Sequence, residues 1–269
     1  MEKTALFALG ITFLAGISTC FGAFLTFFTS HTNKRLISLA LGFSAGVMVF
    51  ISFTEIFPEA RELISSAYGG SKGYMLTLIA FLGGALLMAF IGKLFPSKES
   101  PHGVQYIEDR ENKEKAHDYK RLHRIGLFTA VALTIHNFPE GLVTFITNME
   151  GASFGIPIAI AIAIHNIPEG IAISLPIYFA TKSRVKSFLY TFIAGIAEPI
   201  GALIGYFFLR QYTSNLMIGV LLASVAGIMV FISFDELFPT AREYGKHGEV
   251  LSGLVAGMMV MGGSIALCA

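Results

Sequence analysis

The sequence predicts an all-α integral membrane protein that forms a single transmembrane domain over residues 1–269. Three observations lead to this fold class. Hydrophobic residues make up 54% of the chain and charged residues only 14%, whereas soluble domains contain about a quarter charged residues. Eight apolar segments are each long enough to cross a bilayer, which takes about 20 residues. One segment of the first half also recurs in the second half, as in many membrane transporters.

The first three predicted spans cover residues 5–28, 36–57 and 73–95. The first run is too long for the apolar core of a signal peptide and lacks a cleavage site of small residues, so we interpret it as a retained helix. Residues 96–124 follow, and they are dense in charged side chains. This segment has too few apolar residues to fold alone, so we expect a flexible charged loop. Its histidines, His102, His117 and His123, are most simply solvated.

Spans four and five, at residues 125–148 and 153–180, contain two copies of one polar motif, HNFPEG at 136–141 and HNIPEG at 165–170. Residues three and four apart share a face of a helix. His136, Asn137 and Glu140 therefore point one way, and so do the residues of the second copy, His165, Asn166 and Glu169. Imidazole, amide and carboxylate groups suit borderline divalent cations such as Zn²⁺, Fe²⁺, Mn²⁺ and Co²⁺.

The sixth span, at residues 185–209, adds Glu198 beside Pro199. Glu140, Glu169 and Glu198 are separated by two intervals of 29 residues, which places all three at a similar depth in antiparallel helices. A charge at the bilayer centre costs roughly 2.5–3.5 kcal/mol on insertion scales. Bound cations offset that cost and the mutual repulsion. Protonated acids that only hold helices together are the alternative.

The seventh span, at residues 215–239, carries the second copy of the longer repeat. Residues 45–62 and 226–243 are identical at fourteen of eighteen positions. The two copies run in opposite directions through the membrane, which is typical of an inverted-repeat transporter. Glu55 of the first copy corresponds to Glu236 of the second, and Thr54 corresponds to Asp235. We interpret Glu55, Asp235 and Glu236 as gate residues near opposite ends of the pathway.

The eighth span covers residues 248–268 and completes a topology that the basic residues orient. With the N-terminus outside the cytoplasm, fifteen Lys and Arg residues lie on the inner side and four on the outer side. Cytoplasmic loops carry such an excess, so we expect both termini outside. The net charge of +1 gives no reason to expect a nucleic-acid partner, and Cys20 and Cys268 form neither a disulfide framework nor a thiolate site.

Together, HNFPEG, HNIPEG and the AEPIGA segment around Glu198 resemble the ZIP family of divalent-metal transporters, in particular its bacterial zinc-uptake branch. The resemblance covers nearly the whole chain. It implies eight helices in a 3+2+3 arrangement, with the flanking triplets related by inversion. It also implies a multi-pass protein of the cell membrane, surrounded by lipid and often a homodimer, that moves Zn²⁺ and to some extent Fe²⁺, Mn²⁺, Co²⁺ or Cd²⁺ into the cytoplasm. The metal is cargo, and no cofactor is expected.

The resemblance also assigns roles to individual residues. His136, Glu140, His165 and Glu169 would hold one cation, and Glu140 and Glu169 would bridge to a second. Asn137, Asn166 and Glu198 would complete that second position. Met48 in span two matches a residue beside the first cation, and Asp235 with Glu236 matches a polar pair on the inward route. The preferred metal, any coupling ion and the type of motion stay open.

The alternative function is an intramembrane enzyme with two metal ions. Metalloproteases with HExxH place the catalytic Glu directly after the first His, where this chain has Asn137 and Asn166. Di-iron bundles use Glu-x-x-His with Glu first, the reverse of the order here. An enzyme also has no need of inverted copies in spans two and seven, so we expect a transporter.

Overall fold

The computed structural model describes residues 3–28, 33–94, 110–209 and 214–268, and these residues are helical throughout apart from short turns. The α-helices are α1 (Lys3–Phe24), α2 (Lys34–Ile51), α3 (Phe57–Tyr68), α4 (Gly70–Leu94), α5 (Arg110–Glu150), α6 (Ala152–Thr181), α7 (Arg184–Ile204), α8 (Asn215–Ile232), α9 (Phe238–Tyr244) and α10 (His247–Cys268).

Two pairs of these helices are continuous rods. A π-helical turn at Ser52–Ile56 joins α2 to α3, and another at Ser233–Leu237 joins α8 to α9. Each turn is followed by a proline at the second residue of the next helix, Pro58 and Pro239, where a missing N–H is tolerated. The rods therefore run on to Tyr68 and Tyr244, beyond the span ends predicted at residues 57 and 239. Gly69, with φ of +71°, ends the first rod.

Six helical segments of the described residues are long and apolar enough to cross a membrane: Lys3–Phe27, Lys34–Tyr68, Gly70–Lys93, Arg184–Phe207, Asn215–Tyr244 and His247–Leu267. They coincide with six of the eight predicted spans. The other two predicted spans correspond to α5 and α6, which carry the HNFPEG and HNIPEG motifs. The chain is thus an all-helical protein with several membrane-crossing helices, and the count of eight spans stays a prediction.

The apolar surface of the outer helices fits a lipid environment. On α4, large apolar side chains are exposed at Met75, Ile79, Leu82, Leu86 and Phe90. Their spacing of three and four residues makes a continuous stripe along one face. Soluble proteins rarely leave such a stripe in water, so α4 is suited to face lipid.

The prediction of a flexible loop before the fourth span is wrong for residues 110–124, while residues 96–109 lie outside the described residues. The segment 96–124 was expected to be a flexible loop, but α5 begins at Arg110 and runs for 41 residues. At 1.5 Å per residue this helix is about 60 Å long, roughly twice the hydrocarbon thickness of a bilayer. A helix of this length extends beyond the hydrocarbon region. His102 lies outside the described residues, and of the loop histidines only His123, half-buried on α5, has a described side chain.

α5 and α6 lie at the centre of the molecule. Both contact each other and also α1 and α7, while α2 packs mainly against α10 and α4 mainly against α8. Glycines let these helices approach closely. A Cβ at Gly141 would collide with the backbone of Glu198 on α7, and one at Gly170 would collide with the backbone of Thr19 on α1. Both glycines end a polar motif, so the motifs sit where four helices cross.

The turn between α5 and α6 fixes the relative position of the two motifs. Gly151 alone separates the helices, and its φ of +149° is one that only glycine adopts readily. The helices reverse direction within that single residue. His136 and His165 lie 15 and 14 residues from it, so the two motifs meet at the same level.

Candidate metal site

Four side chains of α5 and α6 form the centre of the site: His136, Glu140, His165 and Glu169. Each is buried, and their ligand atoms all lie within 4.8 Å of one another. His165 Nε2 is 2.5 Å from Glu140 Oε1, and His136 Nε2 is 3.1 Å from Glu169 Oε1. Each histidine thus reaches the glutamate of the other helix, so the two motifs face each other reciprocally.

The spacing of these atoms suits a cation. Bonds of 2.0–2.1 Å in a tetrahedral zinc site put ligand atoms about 3.3 Å apart. The third contact of the group, between His136 Nε2 and Glu140 Oε2, is 3.4 Å. Small movements of side chains would therefore be enough for coordination by all four residues.

Much of the polar surface at this centre has no hydrogen-bond partner. In the described residues fifteen buried side-chain N and O atoms lack one. Nine of the fifteen belong to the seven predicted metal ligands. Burying polar atoms without partners is costly, and a metal ion satisfies such atoms directly. Three of the nine atoms, His136 Nε2, Glu140 Oε2 and Glu169 Oε1, make the 3.1 Å and 3.4 Å ion-pair contacts described above without hydrogen-bond geometry. The other six, which include Glu169 Oε2 and His136 Nδ1, make no hydrogen bond.

The two asparagines lie next to this centre and are held by their amide nitrogens. Asn137 Nδ2 donates to the carbonyl oxygen of Ala194 at 3.1 Å, and Asn166 Nδ2 donates to that of Ala15 at 2.9 Å. A carbonyl requires a donor, so these contacts fix which end of each amide is the nitrogen. Both Oδ1 atoms are left buried without a partner, which makes them available as ligands.

Glu198 joins the site through Asn166, whose Nδ2 donates to Glu198 Oε1 at 2.5 Å. Its second oxygen is buried and unpaired. α7 positions this carboxylate by close packing, because Gly201 of α7 lies against the backbone of Phe138 on α5. All seven predicted ligands are therefore brought into one buried region at the crossing of α1, α5, α6 and α7.

Four further candidates lie outside the group of His136, Glu140, His165 and Glu169. Met48 is fully buried on α2, and its carbonyl oxygen accepts a hydrogen bond from Ser52 at 2.6 Å. Glu55 and Asp235 are exposed on their π-turns. Glu236 is buried, and its Oε1 lies 3.9 Å from Nη2 of Arg124 on α5.

The comparison with known proteins agrees with this chemistry. The model of the ZIP zinc transporter family matches residues 95–268. The protein named zinc transporter ZupT of Streptococcus mutans serotype c is 51% identical to this chain, and the match covers 96% of both chains. The protein of the same name in Clostridium perfringens is 49% identical and covers 98% of this chain and 97% of its own. That of Chlorobaculum parvum is 50% identical and covers 99% of both chains.

The chain belongs to the ZIP family. It is therefore a multi-pass membrane protein that transports divalent metal ions, and it is not an enzyme. The expectation of transport is confirmed over that of an intramembrane metalloenzyme. The buried group of His136, Glu140, His165 and Glu169 fits a metal site.

Sequence reasoning missed two features of the structure. The carbonyls of Ala15 and Ala194 that hold the asparagines are backbone groups with no sequence signature of their own. A signal did exist around them, because residues 12–23 and 191–202 are identical at seven of twelve positions. The contact between Arg124 and Glu236 was also missed, because no local motif links a residue of α5 to one near the end of α8.

Proposed function

We propose that this ZIP protein carries Zn²⁺, and more weakly Fe²⁺, Mn²⁺, Co²⁺ or Cd²⁺, into the cytoplasm through a paired metal site at mid-membrane. One cation is held by His136, Glu140, His165 and Glu169. A second is held by Asn137, Asn166 and Glu198 together with the two bridging carboxylates, Glu140 and Glu169. Zinc comes first because the relatives named above are named zinc transporters.

The observation that carries the proposal is the set of buried polar atoms that make no hydrogen bond. Three carboxylates, two imidazoles and two amide oxygens converge with nine atoms lacking hydrogen-bond partners. One divalent ion balances the charge of Glu140 and Glu169, and Glu198 supplies the charge for a second ion. Nitrogen and oxygen ligands without thiolates discriminate poorly among divalent ions of the first row, which is the basis of the broader metal range.

We further propose the 3+2+3 inverted repeat with eight spans. Helix packing supports it. α2 packs against α10 as α8 packs against α4, and α1 packs against α6 as α7 packs against α5. Gly46 lies against the backbone of Leu254 in α10, and its equivalent, Gly227, lies against the backbone of Phe81 in α4. When the inversion exchanges the first three spans with the last three, each of these helix–helix contacts corresponds to the other contact of its pair.

The orientation belongs to the same proposal. Both termini lie outside the cytoplasm, because this choice puts fifteen of nineteen Lys and Arg residues inside. The apolar stripe of α4 supports a surrounding bilayer. The proposal of a homodimer rests only on the family resemblance.

Metal uptake into liposomes tests the site. Purified protein is reconstituted around a fluorescent zinc indicator, and external Zn²⁺ is added. Glu140→Gln and Glu169→Gln each remove a bridging charge and should abolish uptake. Glu62→Gln, which changes an exposed acid, should leave uptake near normal and serves as the matched control. Near-normal uptake by both bridging variants at equal protein content would refute the site.

Cysteine labelling tests the orientation separately. Single cysteines are placed at Ser71 and at Lys186, both exposed, in a chain without Cys20 and Cys268. In intact cells an impermeant thiol reagent should label the cysteine at Ser71 and spare the one at Lys186. The opposite pattern would reverse the topology without affecting the metal site.

A further inference from the structure

The inverted relationship extends to α1 and α7, where it reveals an unmatched position at the metal site. Residues 12–23, TFLAGISTCFGA, align with residues 191–202, TFIAGIAEPIGA. In this alignment Thr19 corresponds to Glu198. The hydroxyls of Thr12 and Thr191, which also correspond, each donate to a carbonyl four residues earlier at 2.9 Å.

The packing of the two helices is reciprocal around this pair. A Cβ at Gly16 would collide with the carbonyl of Gly195, and one at Gly195 would collide with the carbonyl of Gly16. The same two added atoms would lie 3.2 Å from Glu198 Cβ and 3.3 Å from Thr19 Cβ, respectively. Thr19 and Glu198 therefore start from equivalent places on either side of a local two-fold axis.

The asparagines follow the same axis. Asn166 donates to Ala15 on α1, and Asn137 donates to Ala194, the equivalent residue of α7. Asn166 also donates to the Glu198 carboxylate. On the opposite side the corresponding residue is Thr19, and its hydroxyl makes no such hydrogen bond. Thr19 Oγ1 and Asn137 Oδ1 are both buried without a hydrogen-bond partner.

We propose that Thr19 is a specificity-determining residue that limits the transport site to two cations. The local two-fold axis relates Thr19 to Glu198, and Thr19 has a neutral hydroxyl where Glu198 has a carboxylate. This inference rests on the paired site proposed above. A hydroxyl and an amide oxygen carry no net charge, so the α1 side holds water where the α7 side holds a divalent ion. The second cation is thereby confined to the α7 side of the bridging glutamates.

An exchange of the two residues tests this inference. Zinc bound per chain is measured by equilibrium dialysis of the detergent-purified full chain. The wild type should bind two ions. Glu198→Thr should bind one, or weaken the second by at least about tenfold. The double variant Thr19→Glu/Glu198→Thr should recover two, because the carboxylate has moved to the mirror position. Thr12→Val, two turns away on α1, is the control and should keep two.

The outcomes separate this inference from the proposed function. A wild type that binds fewer than two ions refutes the paired site itself. A wild type with two ions and an exchanged variant with one refutes only the role of Thr19. Thr19→Asp/Glu198→Thr is measured alongside, in case the longer side chain prevents folding. If neither exchanged variant gives a cooperative thermal transition, the two positions are not equivalent and the inference also fails.

Discussion

The two copies of the long repeat, residues 45–62 and 226–243, have almost the same sequence and the same backbone. Both leave α-helical geometry at the same place, in the π-turns Ser52–Ile56 and Ser233–Leu237. In both copies the turn begins with a serine whose hydroxyl donates a hydrogen bond to a methionine carbonyl. The distance is 2.6 Å from Ser52 to Met48 and 2.8 Å from Ser233 to Met229. The repeated sequence therefore determines the local structure.

Their surroundings differ. Glu55 is exposed, whereas the equivalent Glu236 is buried and lies beside Arg124. Arg124 belongs to α5, which contributes half of the metal site, and it is not part of either repeat copy. The same glutamate on an equivalent π-turn is thus placed in a different electrostatic environment by a neighbouring helix. The repeated sequence thus makes the two local backbones alike, and the contact with α5 makes the surroundings of the two glutamates different.

The largest expected effect comes from the shared packing. Gly46→Ala and Gly227→Ala each add a methyl group that collides with a backbone carbonyl, of Leu254 and Phe81 respectively. Overpacking usually costs about 1–3 kcal/mol, and backbone yields less than a side chain. Both variants should lower the melting temperature strongly and to a similar extent, as measured by thermal unfolding of the detergent-solubilised protein.

A neighbouring glycine provides the control. Gly83 lies on α4, and a Cβ there would meet no atom within 4 Å. Gly83→Ala should leave the melting temperature unchanged or raise it, because alanine favours helix by about 1 kcal/mol. If only one of Gly46 and Gly227 proved sensitive, the two copies would not be packed equivalently.

These elements also mark how far the sequence could predict the structure. Hydropathy located most helices, because twenty apolar residues in a row have few alternatives to a membrane helix. It could not predict that α5 begins at Arg110, since a polar helix in water has no apolar period to reveal it. The spacing within HNFPEG predicted that His136 and Glu140 share a face. That Asn137 is held by Ala194 depends on a helix crossing between distant segments, which local spacing does not encode.

The second prediction addresses the broken symmetry directly. Glu236→Gln removes the carboxylate beside Arg124 and leaves that cation without this partner. Because the pair is partly exposed, we expect its loss to raise the activation free energy of transport by only about 1 kcal/mol, which corresponds to roughly a fivefold lower rate. It should appear mainly as a lower maximal rate of Zn²⁺ uptake. Glu55→Gln should instead raise the apparent KM by less than about twofold, because exposed charges are screened. Uptake kinetics in vesicles of known orientation measure both.

A substitution of Arg124 tests whether the contact between Arg124 and Glu236 is the cause of the lower rate. Arg124→Gln should lower the maximal rate in the same way as Glu236→Gln, and the double variant should be no worse than either single one if the two side chains act as a pair. Equal effects of Glu55→Gln and Glu236→Gln would show that the neighbouring helix does not distinguish the copies.

The third prediction concerns the two serines. Ser52→Ala and Ser233→Ala each remove a buried hydroxyl that bonds to its own helix, a contribution of about 0.5–1.5 kcal/mol. Ser52 also lies 3.6 Å from Met229 Sδ, which links the first copy to the second. Ser52→Ala should therefore lower the melting temperature slightly more. Exposed Ser66, whose hydroxyl bonds in the same way to Leu63, provides the control variant Ser66→Ala.

The smallest effect is expected where the copies look most different in sequence. Thr54 corresponds to Asp235, so one copy has a single acid where the other has two adjacent acids. Two adjacent acids would hold a divalent ion more tightly than one acid if both faced the pathway. However, Asp235 and Thr54 are both exposed, while Glu236 is buried, so the two adjacent acids point in different directions. The charge of Asp235 is therefore screened by solvent and does not add to that of Glu236. Thr54→Asp and Asp235→Thr should each change the apparent KM and the maximal uptake rate by less than about twofold at physiological salt. A fall in maximal rate for Asp235→Thr as large as that for Glu236→Gln would restore the paired carboxylate, and would place the asymmetry of the two copies in their sequence rather than in α5.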